Sequence, residues 1–351
     1  PTEAAAVTEA DIVTGALGRA ALPQMVRDFS LDRQRIVSIP QHEKGETFEA
    51  CSAADFGVRT RAFLKIQDGC DNWCSYCIIP AARGPVRSKP MPELQAELAA
   101  LAQNGYREIV LTGINLSNYG REWGLPLSDA VLAAAATEGV ERVRLGSIEP
   151  DLLTPQEIYR LAEGCRGKLC PQFHLSLQSG CDATLRRMNR HYDTAGYRAV
   201  AEAVRQAFPG AALTTDMMVG FAGETEEDHR QSLAFAREIG FAKIHAFAYS
   251  RRAGTRAALM PDQVPQAEKK RRCAELIAVA AELRKTALTA MLGQVQPVLF
   301  ESRGQQGCTG YTPNYTPVTV FDPAARPGEI RPVLLTAIAA DADSCEGILT
   351  D

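Results

Sequence analysis

With 351 residues, of which 46% are hydrophobic and 23% charged, the chain is long enough to bury a sizeable core and to divide into one large domain and a smaller one. No run of eighteen or more apolar residues occurs, and no basic-then-apolar leader follows Pro1, so a cytoplasmic protein without a membrane span or signal peptide is expected. The net charge of −4 argues against a generic nucleic-acid binder, and ten cysteines in a long chain without a leader point to ligation or catalysis rather than to a disulfide framework.

Residues 1 to about 58 show one helical piece and a polar, irregular connection, too little to form a core alone. From residue 62 onward six β-rich segments recur: "AFLKIQ" (62–67), "REIVLTG" (107–113), "RVRLGS" (142–147), "FHLSLQ" (173–178), "ALTTDMMVG" (212–220) and "IHAFAYS" (244–250). Each is followed by a longer amphipathic or capped segment. Their starts lie roughly 30 to 45 residues apart, the length of one βα unit, which predicts a partial (βα)6 barrel of parallel strands related to the eight-unit TIM form. The helices between them carry ordinary signals: Pro92 and Glu93 open "PELQAELAALAQNG", which Gly105 closes, and "GETEEDHRQSLAFAREIG" starts acidic and ends at Gly240.

After about residue 290 the pattern changes to short strands separated by Gly and Pro: "QPVLFES", "GYTPNYTPVTVF", "RPVLLTAIA" and "EGILTD". A small antiparallel β-barrel of about sixty residues fits this. Three arginines (303, 326, 331) stand there against seven acids (301, 322, 329, 341, 343, 346, 351), so a general electrostatic grip on RNA is not expected of it. The most basic stretch, "AEKKRRCAELIAVAAELRK" (267–285), reads as a solvated helix face. The expected division is 1–58 as a remnant domain and linker, 59–288 as the barrel, and 289–351 as the small closing barrel.

Each predicted barrel strand ends in polar or glycine residues: Gly69-Cys70, Thr112-Gly113-Ile114-Asn115, Ser147-Ile148-Glu149-Pro150, Gln178-Ser179-Gly180, Gly220 and Tyr249-Ser250. In parallel αβ barrels the C-terminal strand ends carry the chemistry, so these residues should share one mouth. After the first strand comes "DGCDNWCSYC", in which Cys70, Cys74 and Cys77 form C-x3-C-x2-C. Three thiolates in a tight loop can hold three irons of a [4Fe-4S] cube and leave one iron open, whereas a structural zinc or a complete cysteine-only cluster needs four ligands. Two other readings of the spacing are a zinc site completed by a distant residue and a thioredoxin-like C-x-x-C. His174 or Cys170 could supply a fourth ligand, but no local spacing recommends either.

This spacing, after the first strand of a six-unit αβ barrel and with Tyr76 just before the third cysteine, resembles the radical S-adenosylmethionine enzymes. The blocks "DGCDNWCSYCIIPAARGPVRSKP", "LTGINLSNYG", "HLSLQSGCDATLRRMNRHY", "TTDMMVGFAGETEED" and "AYSRRAGTRAA" narrow the resemblance to the methylthiotransferases, and the final segment resembles their TRAM domain. Three branches act respectively on isopentenyl-adenosine in tRNA, on an aspartate of a ribosomal protein, and on threonylcarbamoyl-adenosine in tRNA. "RLGSIEP", "HLSLQSG" and "GYTPNYTPV" are most similar to the third. Departures are Ala222, where the family usually has Pro, and Cys181, where Ser is common; Cys181 reads as a small buried thiol.

The resemblance implies a [4Fe-4S] cluster on Cys70, Cys74 and Cys77, with S-adenosylmethionine at its open iron. It places Tyr76 against the cluster or adenine, Thr112 and Gly113 by the methionine amino group, Ser176 and Gln178 by the ribose, and Gly220 under the adenine. Arg83 and Arg87 could meet a phosphate or a carboxylate. The implied partners are the anticodon stem-loop of tRNA and an electron donor such as flavodoxin or ferredoxin. A second [4Fe-4S] cluster, held by three cysteines of an N-terminal domain, supplies sulfur in the family. Before residue 70 the single cysteine is Cys51, so the expectation is an N-terminally truncated form that cleaves S-adenosylmethionine without thiolating RNA. A non-catalytic RNA-binding protein with a structural cluster is the alternative from a different class.

Overall fold

The computed structural model describes residues 5–43, 45–49, 60–305 and 307–350; Cys51 lies outside the described residues. β1 (Ile12–Thr14) and β2 (Ile36–Ser38) pair in parallel, with the helix Leu22–Asp32 between them. The parallel barrel follows as β3 (Arg61–Asp68), β4 (Arg87–Ser88), β5 (Glu108–Gly113), β6 (Arg142–Leu145), β7 (Gln172–His174), β8 (Ala212–Val219) and β9 (Lys243–Ala248). The last part holds β10 (Val295–Gly304), β11 (Gly307–Tyr311), β12 (Pro317–Val320), β13 (Ile330–Ile338) and β14 (Cys345–Leu349).

β3, β5 and β6 pair in parallel, as do β7, β8 and β9. Bridges Val143 to Leu169 and Ile148 to Leu175 continue one set into the other, which gives the open, six-stranded curl expected of (βα)6. The two-residue β4 on the antiparallel edge of β3 was not foreseen. It is too short to show a period of its own. β7 is also shorter than the segment 173–178, although Leu175 and Gln178 still donate backbone hydrogen bonds to Thr214 and Asp216.

Alternation sorts the strands into two faces. Ala62, Leu64 and Ile66 of β3, Ile109 and Leu111 of β5, Phe173 of β7 and Leu213 and Met217 of β8 join Leu94, Leu98 and Leu101 of the helix Met91–Gln103 in the main core. Leu94, Leu98 and Leu101 recur at helical spacing on one stripe. The helix Glu226–Ile239 begins with a capping box: Thr225 Oγ1 accepts from Asp228 N and Asp228 Oδ2 accepts from Thr225 N, both at 3.1 Å. The opposite strand face, with Arg61, Arg144, Gln172, His174, Thr214 and His245, lines the barrel interior.

The final five strands close into a barrel in the order β10-β11-β12-β14-β13. Its pairs are antiparallel except β12 with β14, which run parallel. "GYTPNYTPVTVF" is two strands rather than one. Thr312 N donates to Thr316 O, and Tyr315 at φ 67° turns the chain between β11 and β12. Pro313 supplies no backbone N–H to a ladder.

That turn plugs the N-terminal end of the parallel barrel. Tyr311 and Tyr315 stack at 4.7 Å, Arg144 lies over the Tyr315 ring at 4.5 Å, and Arg61 lies 5.0 Å from Tyr311. Arg144 also donates to Pro313 O at 3.0 Å and to the buried Glu108 at 2.7 Å. The basic run 267–285 is not a free cationic face. Lys269 is buried and donates to Tyr249 O, Arg272 pairs with Glu224 at 2.8 Å, and Arg271 pairs with Glu226 and Glu275.

Candidate active site

The cysteine loop leaves β3 at a tightly determined corner. Gly69 has φ +73°, and a Cβ there would lie 1.8 Å from Pro85 O, so this position admits only glycine. Beside it the buried Asp68 accepts from Gly69 N at 2.9 Å and from Arg83 Nε at 3.0 Å, and pairs with Lys65, Arg87 and Arg19. Burial is the largest single influence on Asp68 and opposes its charge, but Lys65, the Gly69 N–H and Arg83 together hold the carboxyl below its ordinary value. Arg87 also reaches Glu46 at 3.2 Å. Both arginines that sequence reading left between phosphate and carboxylate therefore meet carboxylates of the protein itself.

The far side of the loop is clipped to residues 187–189. Ser75 N donates to Met188 O and Ser75 Oγ to Arg187 O, each at 2.9 Å, and Asn189 Nδ2 donates to Trp73 O at 3.1 Å. All three sulfurs then receive a donor: Asn115 Nδ2 at 3.8 Å from Cys70, Arg190 Nη1 at 3.1 Å from Cys74, and Ile79 N at 3.4 Å from Cys77. Burial pushes the Cys70 and Cys74 thiols above their ordinary value, while Asn115 and Arg190 pull in the opposite direction. N–H donors aimed at sulfur are the surroundings that stabilise thiolates of an iron–sulfur cluster.

Three thiols on one loop, each met by an N–H donor, suit the three cysteine-held irons of a [4Fe-4S] core. Cys170 and Cys181 are buried elsewhere, and Cys181 Sγ donates to Asp228 at 3.4 Å, as a small structural thiol does.

Glu149, one of the strand-end residues expected at the mouth, and Arg190, which sequence reading did not single out, complete the surroundings. Arg190, buried, contacts Cys74 Sγ, Tyr76 Oη at 3.4 Å and Tyr192 Oη at 3.0 Å, and forms a close pair with Glu149. Burial works against its charge, yet Tyr192, Tyr76 and Glu149 keep the guanidinium firmly protonated. Both residues stood inside quoted segments, "RMNRHY" and "GSIEP", but nothing local to either indicated that they meet.

The other predicted residues separate into two groups. Tyr76 and Gln178 line a cavity of about 460 Å³ with Cys77, Met218, Phe247 and Arg252, and Tyr76 packs edge-on to Phe221 at 6.3 Å. Gln178 reaches it through a left-handed backbone, φ 64°. Thr112 sits near the end of β5 and the buried Ser176 hydrogen-bonds through its backbone to Ile148 and Tyr192; neither lines that cavity. Cβ atoms on Gly113 and Gly220 would meet Gln67 Oε1 at 2.8 Å and Lys269 Cγ at 2.4 Å. Protein side chains fill both spaces.

Residues 64–236 match the family described as the Radical SAM superfamily. The chain is 36% identical over 325 residues to threonylcarbamoyladenosine tRNA methylthiotransferase MtaB of Bacillus subtilis, covering 91% of this chain and 72% of that protein. It is 35% identical over 293 residues to tRNA-2-methylthio-N(6)-dimethylallyladenosine synthase of Caldicellulosiruptor saccharolyticus, covering 83% and 61%. Among solved structures, methylornithine synthase (PylB) aligns at a TM-score of 0.45 and 15% identity, covering 66% and 71%.

Proposed function

The chain belongs to the radical S-adenosylmethionine methylthiotransferases of tRNA, and on that premise we propose that it carries the radical-generating part of the addition of a methylthio group to C2 of N6-threonylcarbamoyladenosine beside the anticodon. The observation that carries the reading is the loop on which Cys70, Cys74 and Cys77 each receive a hydrogen bond at the sulfur, placed at the C-terminal end of a parallel strand. The Bacillus subtilis relative, named for that substrate, supports the branch. The dimethylallyladenosine synthase, at nearly the same identity, supports isopentenyl-adenosine as the second reading.

In this proposal Cys70, Cys74 and Cys77 hold a [4Fe-4S] cluster with one iron open to S-adenosylmethionine. Bound together, these groups supply radical hydrogen abstraction from an unactivated carbon. The chain's own part is positioning and exclusion of water. Arg190 offsets thiolate charge at Cys74, and Asn115 does so at Cys70. Tyr76, Phe221, Met218 and Tyr249 form an apolar wall next to Cys77 that keeps water from the reacting carbon. Tyr76 and Gln178 face the cavity and are assigned to the cofactor. Thr112 and Ser176 are assigned there through their strand-end position, and Gly113 and Gly220 through their backbone. Residues 59–288 form the catalytic unit, with 289–351 closing its lower end.

Anaerobically reconstituted protein, given dithionite and S-adenosylmethionine, should release 5′-deoxyadenosine, and Cys74→Ala should release none. Mass spectrometry of tRNA digests, with both modified adenosines offered to the full-length protein, separates the branches. Methylthiolation of the isopentenyl form alone would transfer the assignment to the second reading.

A further inference from the structure

Inside the parallel barrel, three donors stand on three neighbouring strands and take no part in the cysteine loop. Asp216 of β8 lies directly opposite His245 of β9, and His174 of β7 lies opposite Thr214, one inward-facing position from Asp216. Parity places all three side chains on the inner face, where opposite and diagonal neighbours on adjacent strands can touch. Their ligand atoms lie within 4.8 Å of one another, and the two imidazole rings are 5.8 Å apart.

His174 Nδ1 lies 3.0 Å from Thr214 Oγ1, which also accepts from Gln172 Nε2 at 3.1 Å, and its buried Nε2 stands 3.5 Å from Asp216 Oδ2. An outer partner that holds one ring nitrogen while the other faces the site is the usual support of a metal-binding histidine. Lys243 and Arg284, which line the same cavity, are engaged by Asp343.

We propose that His174, Asp216 and His245 bind a divalent transition-metal ion of the zinc or ferrous class, with at least one coordination position open to the barrel interior. Two imidazoles and one carboxylate select such ions over magnesium or calcium. Zinc bonds of about 2.0–2.2 Å at tetrahedral angles need donors about 3.4 Å apart, so side-chain shifts of about 1 Å close the site. The open position faces a cavity of about 390 Å³ lined by His174, His245, Thr214, Arg144 and Tyr315. Met218, which lines the cavity beside Cys77, follows Asp216 by two residues, about 7 Å along β8. An oxygen or nitrogen donor on a substrate entering from the mouth could therefore complete the coordination. This inference is independent of which base the protein modifies.

The test is equilibrium dialysis of the cluster-loaded protein against zinc chloride, with zinc, iron and acid-labile sulfide measured together. About one zinc per chain should bind at unchanged iron content, and His245→Ala and Asp216→Asn should each weaken it about 10-fold or more. Thr214→Val keeps all three ligands and should weaken binding about 10-fold, which covers the case of a ligand variant that fails to fold. No zinc uptake, or uptake indifferent to all three substitutions, would overturn the site and leave His174 and Asp216 as a simple ion pair. Loss of iron as zinc enters would equally overturn it, because the zinc would then be on the cysteines.

Discussion

Arg190 donates a hydrogen bond from Nη1 to Cys74 Sγ at 3.1 Å across 116 residues of sequence, and its other Nη pairs with Glu149. One buried cation thus joins the cysteine loop, the end of the third parallel strand and the segment after the fourth. Replacing it by alanine leaves Glu149 a half-buried carboxylate without its partner, an arrangement that costs about 1–3 kcal/mol. Arg190→Ala should lower the melting temperature and reduce iron loading, whereas Arg190→Lys should retain part of the iron because charge persists but the two-pronged contact does not. Iron and sulfide assays with thermal unfolding check this; full loading in the alanine variant would remove the assigned role.

Asp68 organises the start of the same loop through Lys65, Arg83, Arg87 and Arg19. Its carboxyl has a lower pKa folded than unfolded, so it stabilises the fold above the unfolded value near 3.9, and that contribution disappears as pH falls through the folded value. Asp68→Asn should cost about 3 kcal/mol at neutral pH. The gap between wild type and variant should narrow below about pH 5, measured by denaturant unfolding at several pH values. A gap constant down to pH 3 would contradict the ionised form as the stabilising species.

Tyr315 ties the closing barrel to the strands through Arg144 and through its stack on Tyr311. Cation–π and aromatic contacts of this kind contribute about 1–2 kcal/mol each, so Tyr315→Ala should cost about 2–3 kcal/mol while Tyr315→Phe remains close to wild type. Because the plug lies at the end of the barrel opposite the cysteines, iron content should be unchanged in both. Thermal unfolding followed alongside iron content distinguishes this from a general collapse.

Gly69 and Gly220 both have positive φ, but they should respond differently to alanine. A Cβ at Gly69 meets backbone, Pro85 O at 1.8 Å, whereas one at Gly220 meets the flexible Lys269 side chain at 2.4 Å. Gly69→Ala should abolish cluster loading. Gly220→Ala should load iron and lose about 1–2 kcal/mol of stability, the cost of a left-handed non-glycine backbone. Equal iron loss in the two variants would show that Gly220 matters to the cofactor and not only to Lys269.

The periodic parts of the molecule were legible in the amino-acid sequence. β-rich runs at the spacing of a βα unit, helix signals such as the acidic start of 226–228 and the stop at Gly240, and the C-x3-C-x2-C spacing are local patterns, and they indicate the six parallel strands and the cysteine loop without tertiary information. What the loop rests on was not legible. Arg190 joins Cys74 to Glu149 from distant segments, Arg271 and Arg272 pair with Glu224, Glu226 and Glu268, and Pro313-Asn314-Tyr315 is a plug rather than a strand. Tertiary structure decided these because an ion pair or a ring stack has no period. It depends on which strands curl next to which, and only the curled parallel sheet brings His174, Asp216 and His245, on three separate strands, onto one inner face.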